Sequence, residues 1–550
     1  MCGADFRSIV GFVAGCWRPT KAATSRAPMS AAQGGTMLDL TDNAAVYFVD
    51  RHATSAYADK AAFVEAADPQ RSLAYRRLAE ETGRLPHLLE RHEIHPENRV
   101  ALLLLDKVEF PIVFWGCLKA GVIPVALNTL LSTDVYGAIL RDSRARALFV
   151  SHELLPVVAP LLQDRQYLKK VFVVGGEPPD GAFDFARELE TSEVRAPIPV
   201  SPDDCAFWLY SSGSTGQPKG VRHVHSSLKY TADAYGAQVL KIAHDDIVFS
   251  AAKLYFAYGL GNAMTFPLSV GATTVLYAGR PTPQAVFDIL ERFEPTVFCG
   301  APTLYAAMDA ALESGGAQVK APLRCCVSAG EALPEQVGAK WRRFTGVDIL
   351  DGVGSTEMLH IFLSNRADDV AYGTSGVVVP GYEIRLVDEH EREVEEGEIG
   401  ELLVRGGSAA SDYWNLRDHS RSTFLGHWTR TGDKYEKARG GRLVYCGRTD
   451  DMFKVSGIWV APFEVEQALI AHPSVLEAAV VPARDEDGLE KPKAFVVLKN
   501  GLPGPELDAE LKEHVKARVG KWKYPRWIEF TQELPKTATG KIQRFKLKAT

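Results

Sequence analysis

The stretch DCAFWLYSSGSTGQPKG, Asp204 to Gly220, carries an apolar run straight into a loop of hydroxyls and glycines. Its last eleven residues hold four hydroxyls (Ser211, Ser212, Ser214, Thr215), three glycines (Gly213, Gly216, Gly220) and Lys219. Glycine lets backbone N–H groups come close to an anion, hydroxyls donate to it, and lysine adds a point charge. The pattern therefore suits a phosphate cradle; a polar surface turn is the plain alternative. It is not a P-loop of the GxxxxGK[ST] kind, because Lys219 stands three residues past Gly216 and no Ser or Thr follows it.

Outward from this loop, short β-branched runs alternate with helical periods. RVALLLLD, ALFVS, KKVFVVGG, TTVLYA, TVFCGAP and RCCVSAG read as buried strands; PQAVFDILERF and LPEQVGAKWRRF read as amphipathic helices. That alternation predicts an α/β fold with largely parallel sheets. Residues 376–447 change to alternating runs with charged turns (GYEIRLVDE, GELLVRG, RLVYCGR), which suits an antiparallel β segment. Beyond GRTDD a compact βαβ-like end follows. We expect a large N-terminal body of mixed α/β layers plus a β-rich segment, residues 37–449. A small, mobile α+β C-terminal domain would occupy 450–550.

The 550 residues suit several structural units. Sixty-two Lys and Arg against 69 Asp and Glu give a net charge of −7, which argues against a protein held to nucleic acid by bulk charge. Eight cysteines include no CxxC pair, and several lie in apolar runs, so reduced structural thiols and a cytoplasmic location are expected. The apolar stretch Phe110 to Leu127 is broken by Lys119 and Pro124, and reads as a buried helix followed by a strand rather than a membrane span. Residues 1–36 read as a disordered tail or an over-extended start; a short secretory or lipid-modified leader around SIVGFVAGC competes with that reading.

The 210–220 loop resembles the nucleotide signature of the adenylate-forming superfamily of acyl-CoA synthetases, adenylation domains and luciferases. Further segments that are similar to the superfamily's signatures follow in its order across roughly residues 40–550: SAGEAL (328–333), DGVGSTE (351–357), WTRTGD (428–433), GRTDDMFKVSG (447–457) and PKTATGK (535–541). SAAKLYFAYGLGNAMTFPLSVGATT (250–274), GSTEMLHIFLSN (354–365) and KYPRWIEFTQELPKTATGKIQRFKL (523–547) look like benzoate/4-hydroxybenzoate CoA ligases.

The resemblance implies ATP, Mg²⁺ and CoA as cofactors and co-substrates, and an aromatic carboxylic acid as substrate. For the nucleotide it implies Ser211, Ser212, Gly213, Ser214, Thr215, Gly216 and Lys219, with Ala329, Gly330, Glu331, Asp351 and Gly352, and with Asp433 and Arg448 at the ribose. Thr356 and Glu357 would serve phosphate and Mg²⁺, and Lys541 would be the catalytic lysine. Ala257, Tyr258, Gly330, Gly354, His360 and Ile361 would line the acid pocket, with Lys454 near the carboxylate. Asp450 would be the hinge, and Ser456 and Gly457 would meet CoA. His360 is read two ways, as a donor to a ring substituent or as a satisfied core histidine. A homodimer, and an acetyltransferase and deacetylase acting at Lys541, are partners the resemblance suggests.

The chemistry agrees. A carboxylate has no good leaving group, so it attacks the α-phosphate of ATP, and a thiol then displaces AMP from the acyl-adenylate. Both reactants of the first step are anions, so the site must neutralise charge as well as align groups. The expectation is an aryl-CoA ligase for benzoate or a hydroxybenzoate. A ligase for another acid (2-aminobenzoate, heteroaryl or aliphatic) and a catalytically silent adenylate-binding protein are the alternatives.

Overall fold

The structure is a computed structural model describing residues 42–163, 166–212, 218–316, 318–455, 458–486, 489–499, 503–536 and 542–548. The N-terminal 36 residues therefore lie outside the description, as do the loop at 213–217, Ser456, Gly457 and Lys541.

Two large sheets make the body. One has eight strands, running from Asp412–Tyr413 at one edge through Pro218–Val224, Cys205–Ser212, Ile123–Ala126, Arg99–Leu103, Ala147–Ser151 and Lys170–Val174 to Phe183–Asp184. Its central pairs are parallel. Strands such as Ile123–Ala126 and Ala147–Ser151 are buried along their whole length, which is why they read as unbroken apolar runs rather than alternating ones. The second sheet has nine strands and includes Ile247–Ser250, Val297–Gly300, Cys325–Ser328 and Ile349–Gly354 in parallel. One apolar cluster takes Leu102, Ala126 and Phe149 from the first sheet and Leu276, Val327 and Leu350 from the second. Burial of this kind of surface is the main favourable term in holding such layers together.

The helices follow their sequence signals. Pro283–Phe293 begins after Thr282, whose hydroxyl accepts from the Ala285 N–H at 3.3 Å, and it buries Val286, Phe287, Ile289 and Leu290. The 110–127 stretch is helix Glu109–Lys119 followed by strand Ile123–Ala126, as its Lys and Pro interruptions predict. Among the described residues no helix is long and apolar enough to cross a membrane. The six described cysteines are all free thiols.

The β-rich segment is a five-stranded sheet whose pairings are antiparallel, containing Ile399–Arg405, Trp428–Lys437 and Leu443–Arg448. At the C-terminal end the long strands Val475–Arg484 and Glu490–Leu498 pair antiparallel. The βαβ unit is the second of them with helix Pro505–Val519 and the parallel strand Trp527–Phe530.

Candidate active site

The loop 213–217 is carried by a hairpin whose strands, Cys205–Ser212 and Pro218–Val224, pair Ser211 with Lys219 and Tyr210 with Gly220. Three contacts fix its base. The Tyr210 hydroxyl donates to Asp142 Oδ2 at 2.6 Å, and Trp414 N–H donates to the Gly220 carbonyl at 2.8 Å. Arg222 makes a two-bond fork to Asp412, both bonds 2.5 Å, across the short edge pairing of Asp412–Tyr413.

The turn between strands Ile349–Gly354 and Ile361–Ser364 stands beside this exit strand. His223 is fully buried, and burial pushes its pKa down to about 4, so it is neutral at pH 7. Its Nε2 lies 2.8 Å from the Thr356 carbonyl, which only accepts, so that nitrogen carries the proton. Ala410 N–H donates to the Glu357 carbonyl at 2.7 Å, and Ser408 Oγ donates to that of Met358 at 2.8 Å. Leu359 closes the turn at φ 64°, a left-handed conformation costly for a residue with a Cβ. The Tyr413 hydroxyl donates to Glu357 Oε1 at 2.8 Å, and Lys219 Nζ sits 5.3 Å from the centre of the same ring. Tyr413, His223 and the Arg222–Asp412 pair are absent from the site residues that the sequence suggests. Nothing local marks them: Arg222 and Asp412 are 190 residues apart, and only the edge pairing joins them.

Asp433 and Arg448 are cross-strand partners, with Arg448 Nη1 3.0 Å from Asp433 Oδ1 and 2.9 Å from the Thr431 carbonyl. Gly432 approaches so closely that a Cβ there would lie 2.8 Å from Arg448 Nη2. The Arg448 side chain is 45 % exposed. Partial burial disfavours its charge, but the Asp433 carboxylate beside it, aided by Tyr445 and Glu357, raises its pKa above the ordinary arginine value. Tyr413 thus links Lys219 to Glu357, and Arg448 is paired with Asp433.

On the other side of the turn, Ala257 and Tyr258 open a helical turn, Ala257–Leu260, that continues as a π-type segment Gly261–Thr265. The Tyr258 hydroxyl lies 3.2 and 3.0 Å from the Gly300 and Val327 carbonyls. His360 is buried among the rings of Tyr235, Tyr258 and Phe266, and burial pushes its pKa down to about 3. Its Nε2 is 3.3 Å from the Tyr258 carbonyl, while Nδ1 has no hydrogen-bond partner among the described residues. The ring is thus packed as a core histidine and still presents one acceptor nitrogen. A Cβ at Gly354 would fall 2.4 Å from the His360 carbonyl oxygen, and one at Gly352 2.9 Å from Ile361 Cγ2, so both positions depend on glycine. Ile361 is buried.

Ala329 is buried, Gly330 is exposed at φ 99°, and Glu331 follows it, half-buried. Asp351 is buried beneath this segment rather than open to it. Its Oδ2 accepts from Leu333 N–H at 3.2 Å, and burial pushes its pKa up to about 8. Asp450 is exposed, and its carbonyl accepts from Lys548 Nζ at 3.3 Å. Among the residues the sequence suggests, Gly213, Ser214, Thr215, Gly216, Ser456, Gly457 and Lys541 lie outside the described residues, as do the side chains of Ser212 and Lys454.

Comparison with known proteins gives a consistent picture. The family description "AMP-binding enzyme" matches residues 49–414, and "AMP-binding enzyme C-terminal domain" matches 464–541. The 4-hydroxybenzoate–CoA/benzoate–CoA ligase of Rhodopseudomonas palustris is 54% identical over 510 residues, 92% of this chain and 94% of that protein. The benzoate–CoA ligase of Thauera aromatica is 56% identical over 459 residues, 83% of this chain and 86% of that one. Among solved structures, a benzoate CoA ligase from Burkholderia xenovorans LB400 superposes with a TM-score of 0.85 at 47% identity, covering 92% of this chain and 99% of that one.

Proposed function

This chain belongs to the AMP-binding enzyme family, and on that footing we propose that it is an ATP-dependent aryl-CoA ligase acting on benzoate or a hydroxybenzoate. The acid's carboxylate oxygen attacks the α-phosphorus of ATP, pyrophosphate leaves, and an acyl-AMP forms. The thiol of CoA then attacks the acyl carbon, and AMP leaves with the electron pair of the broken C–O bond.

The observation that carries this reading is the pair of linked contacts Lys219–Tyr413–Glu357 and Arg448–Asp433. Lys219, at the exit of the loop, offers charge to the phosphates. Asp433 accepts from the ribose hydroxyls, and Arg448, bonded to it, holds its carboxylate in place. His223 and Ala410 fix the backbone on which Thr356 and Glu357 stand, so neither group has to reorganise as charge develops. Lys541 neutralises the approaching carboxylate and α-phosphate, and rotation of the lobe from Asp450 onward withdraws it before the thiol enters. The segment around Lys454, Ser456 and Gly457 then borders the CoA thiol's path.

Mg²⁺ fits the donors at the turn. Glu357 and Thr356 offer a carboxylate and a hydroxyl, which are hard oxygen ligands, and among the described residues no group of three or more His, Cys, Asp or Glu forms a protein cage. An ion held by nucleotide phosphates and Glu357 would neutralise phosphate charge. For the acid, Ala257 and Gly330 leave room for a flat ring, with Tyr258 and Ile361 as walls. The neutral Nδ1 of His360 can accept from a ring hydroxyl.

Pyrophosphate release, measured with benzoate, 4-hydroxybenzoate, 2-aminobenzoate and a medium-chain aliphatic acid, with and without CoA, tests the proposal. Release driven by benzoate or a hydroxybenzoate, and sustained through many turnovers only with CoA, is the expected result. Stimulation by the aliphatic acid alone, or turnover indifferent to CoA, would contradict it.

A further inference from the structure

We propose that Tyr413 is a positioning residue of the metal–phosphate site, holding the Glu357 carboxylate by its hydroxyl while docking the Lys219 ammonium against its ring. This rests on the reading above, in which Glu357 meets the divalent ion and Lys219 the phosphates.

Tyr413 is well placed for such a role. It is only 6% exposed, its backbone pairs with Val221 on the loop's exit strand, and the adjoining Arg222–Asp412 fork locks that register. Phe424 packs against the ring at 5.3 Å. The phenol gives its proton to Glu357 Oε1 at 2.8 Å. A carboxylate only accepts, which leaves no other direction for that proton.

Two consequences follow for the site. One oxygen of Glu357 is oriented from outside the ligand shell, and outer partners of this sort commonly govern metal affinity. Lys219, meanwhile, is steadied by a ring face 5.3 Å from Nζ and by no carboxylate among the described residues, so its charge is kept for an incoming anion. Plain packing of an aromatic residue would require neither the hydroxyl nor its contact with Glu357.

The test compares binding of Mn²⁺–ATP with binding of metal-free ATP, by titration calorimetry on the full-length protein, with no turnover. Tyr413→Phe keeps the ring and its packing. It should lower the ratio of the two affinities about tenfold, while metal-free ATP binds within about twofold of wild type. Tyr413→Leu should also weaken metal-free ATP, by about threefold, through loss of the ring under Lys219. A wild-type ratio in Tyr413→Phe, at unchanged thermal midpoint, overturns the proposal. Glu357→Gln is measured alongside: if it too leaves the ratio untouched, the failure belongs to the assignment of Glu357 to the metal.

Discussion

Gly432→Ala perturbs the proposed ribose site without replacing a side chain that would meet the ligand. Gly432 has φ 73°, a conformation that costs a residue with a Cβ about 1–2 kcal/mol. The new methyl would also lie 2.8 Å from Arg448 Nη2 and 3.3 Å from Cζ. The guanidinium, at the far end of a flexible side chain, must then shift, which strains its 3.0 Å bond to Asp433 and its 2.9 Å bond to the Thr431 carbonyl. Gly426, at φ 64° with nothing within 4 Å of where a methyl would sit, isolates the strain from the contact. Both variants should lose about 1–2 kcal/mol of stability. Only Gly432→Ala should raise the KM for ATP, by about tenfold, the equivalent of about 1.4 kcal/mol, with the KM for benzoate nearly unchanged. Steady-state pyrophosphate release at varied ATP, together with denaturant unfolding, reads both effects. Equal ATP KM values in the two variants would refute the coupling of Gly432 to Arg448.

Further outcomes are expected. Lys541→Ala should abolish benzoyl-AMP formation yet largely spare thioester formation from supplied benzoyl-AMP; equal loss in both half-reactions would remove the assigned role. Asp450→Pro should freeze the hinge and slow mainly the thioester step, measured as single-turnover CoA capture; an unchanged rate there would speak against rotation at this position. Asp351 has a folded pKa of about 8, raised by burial above its unfolded value of about 3.9. The folded carboxyl therefore keeps its proton where the unfolded one has lost it, and stability falls as pH rises from about 4 to 8. Asp351→Asn should remove that slope, so its thermal midpoint should gain on wild type toward pH 8 and lose that gain toward pH 4; parallel profiles would show the carboxyl to be ionised in the fold.

Much of the architecture is legible in local pattern because central strands of both large sheets are buried on two faces. Runs such as ALFVS and RCCVSAG have no alternation to disguise them, and helix Pro283–Phe293 declares its start by Thr-Pro and its buried side by spacing. Strand order is not legible, since it depends on crossovers, and neither is the pairing of Asp412–Tyr413 with Pro218–Val224 that brings Tyr413 to Glu357. The segment after Ala257 also escapes periodicity, because its π-type turn shifts the register of a 3.6-residue repeat. Asp351 shows the limit of reading by motif. It lies within DGVGSTE, expected at the nucleotide, yet its side chain points to the interior and holds Leu333, a distinction set by burial. His360 takes a state that neither sequence reading names: one ring nitrogen is engaged in the core, and the other is a buried acceptor with no partner among the described residues.

In the proposed reaction an aromatic acid and ATP meet through a positive charge delivered by Lys541. Acid-dependent exchange of labelled pyrophosphate into ATP measures that step without CoA. Exchange driven by benzoate or a hydroxybenzoate in the wild type, and lost in Lys541→Ala, is the predicted result. No exchange with any aromatic acid, or exchange undiminished in Lys541→Ala, would contradict it.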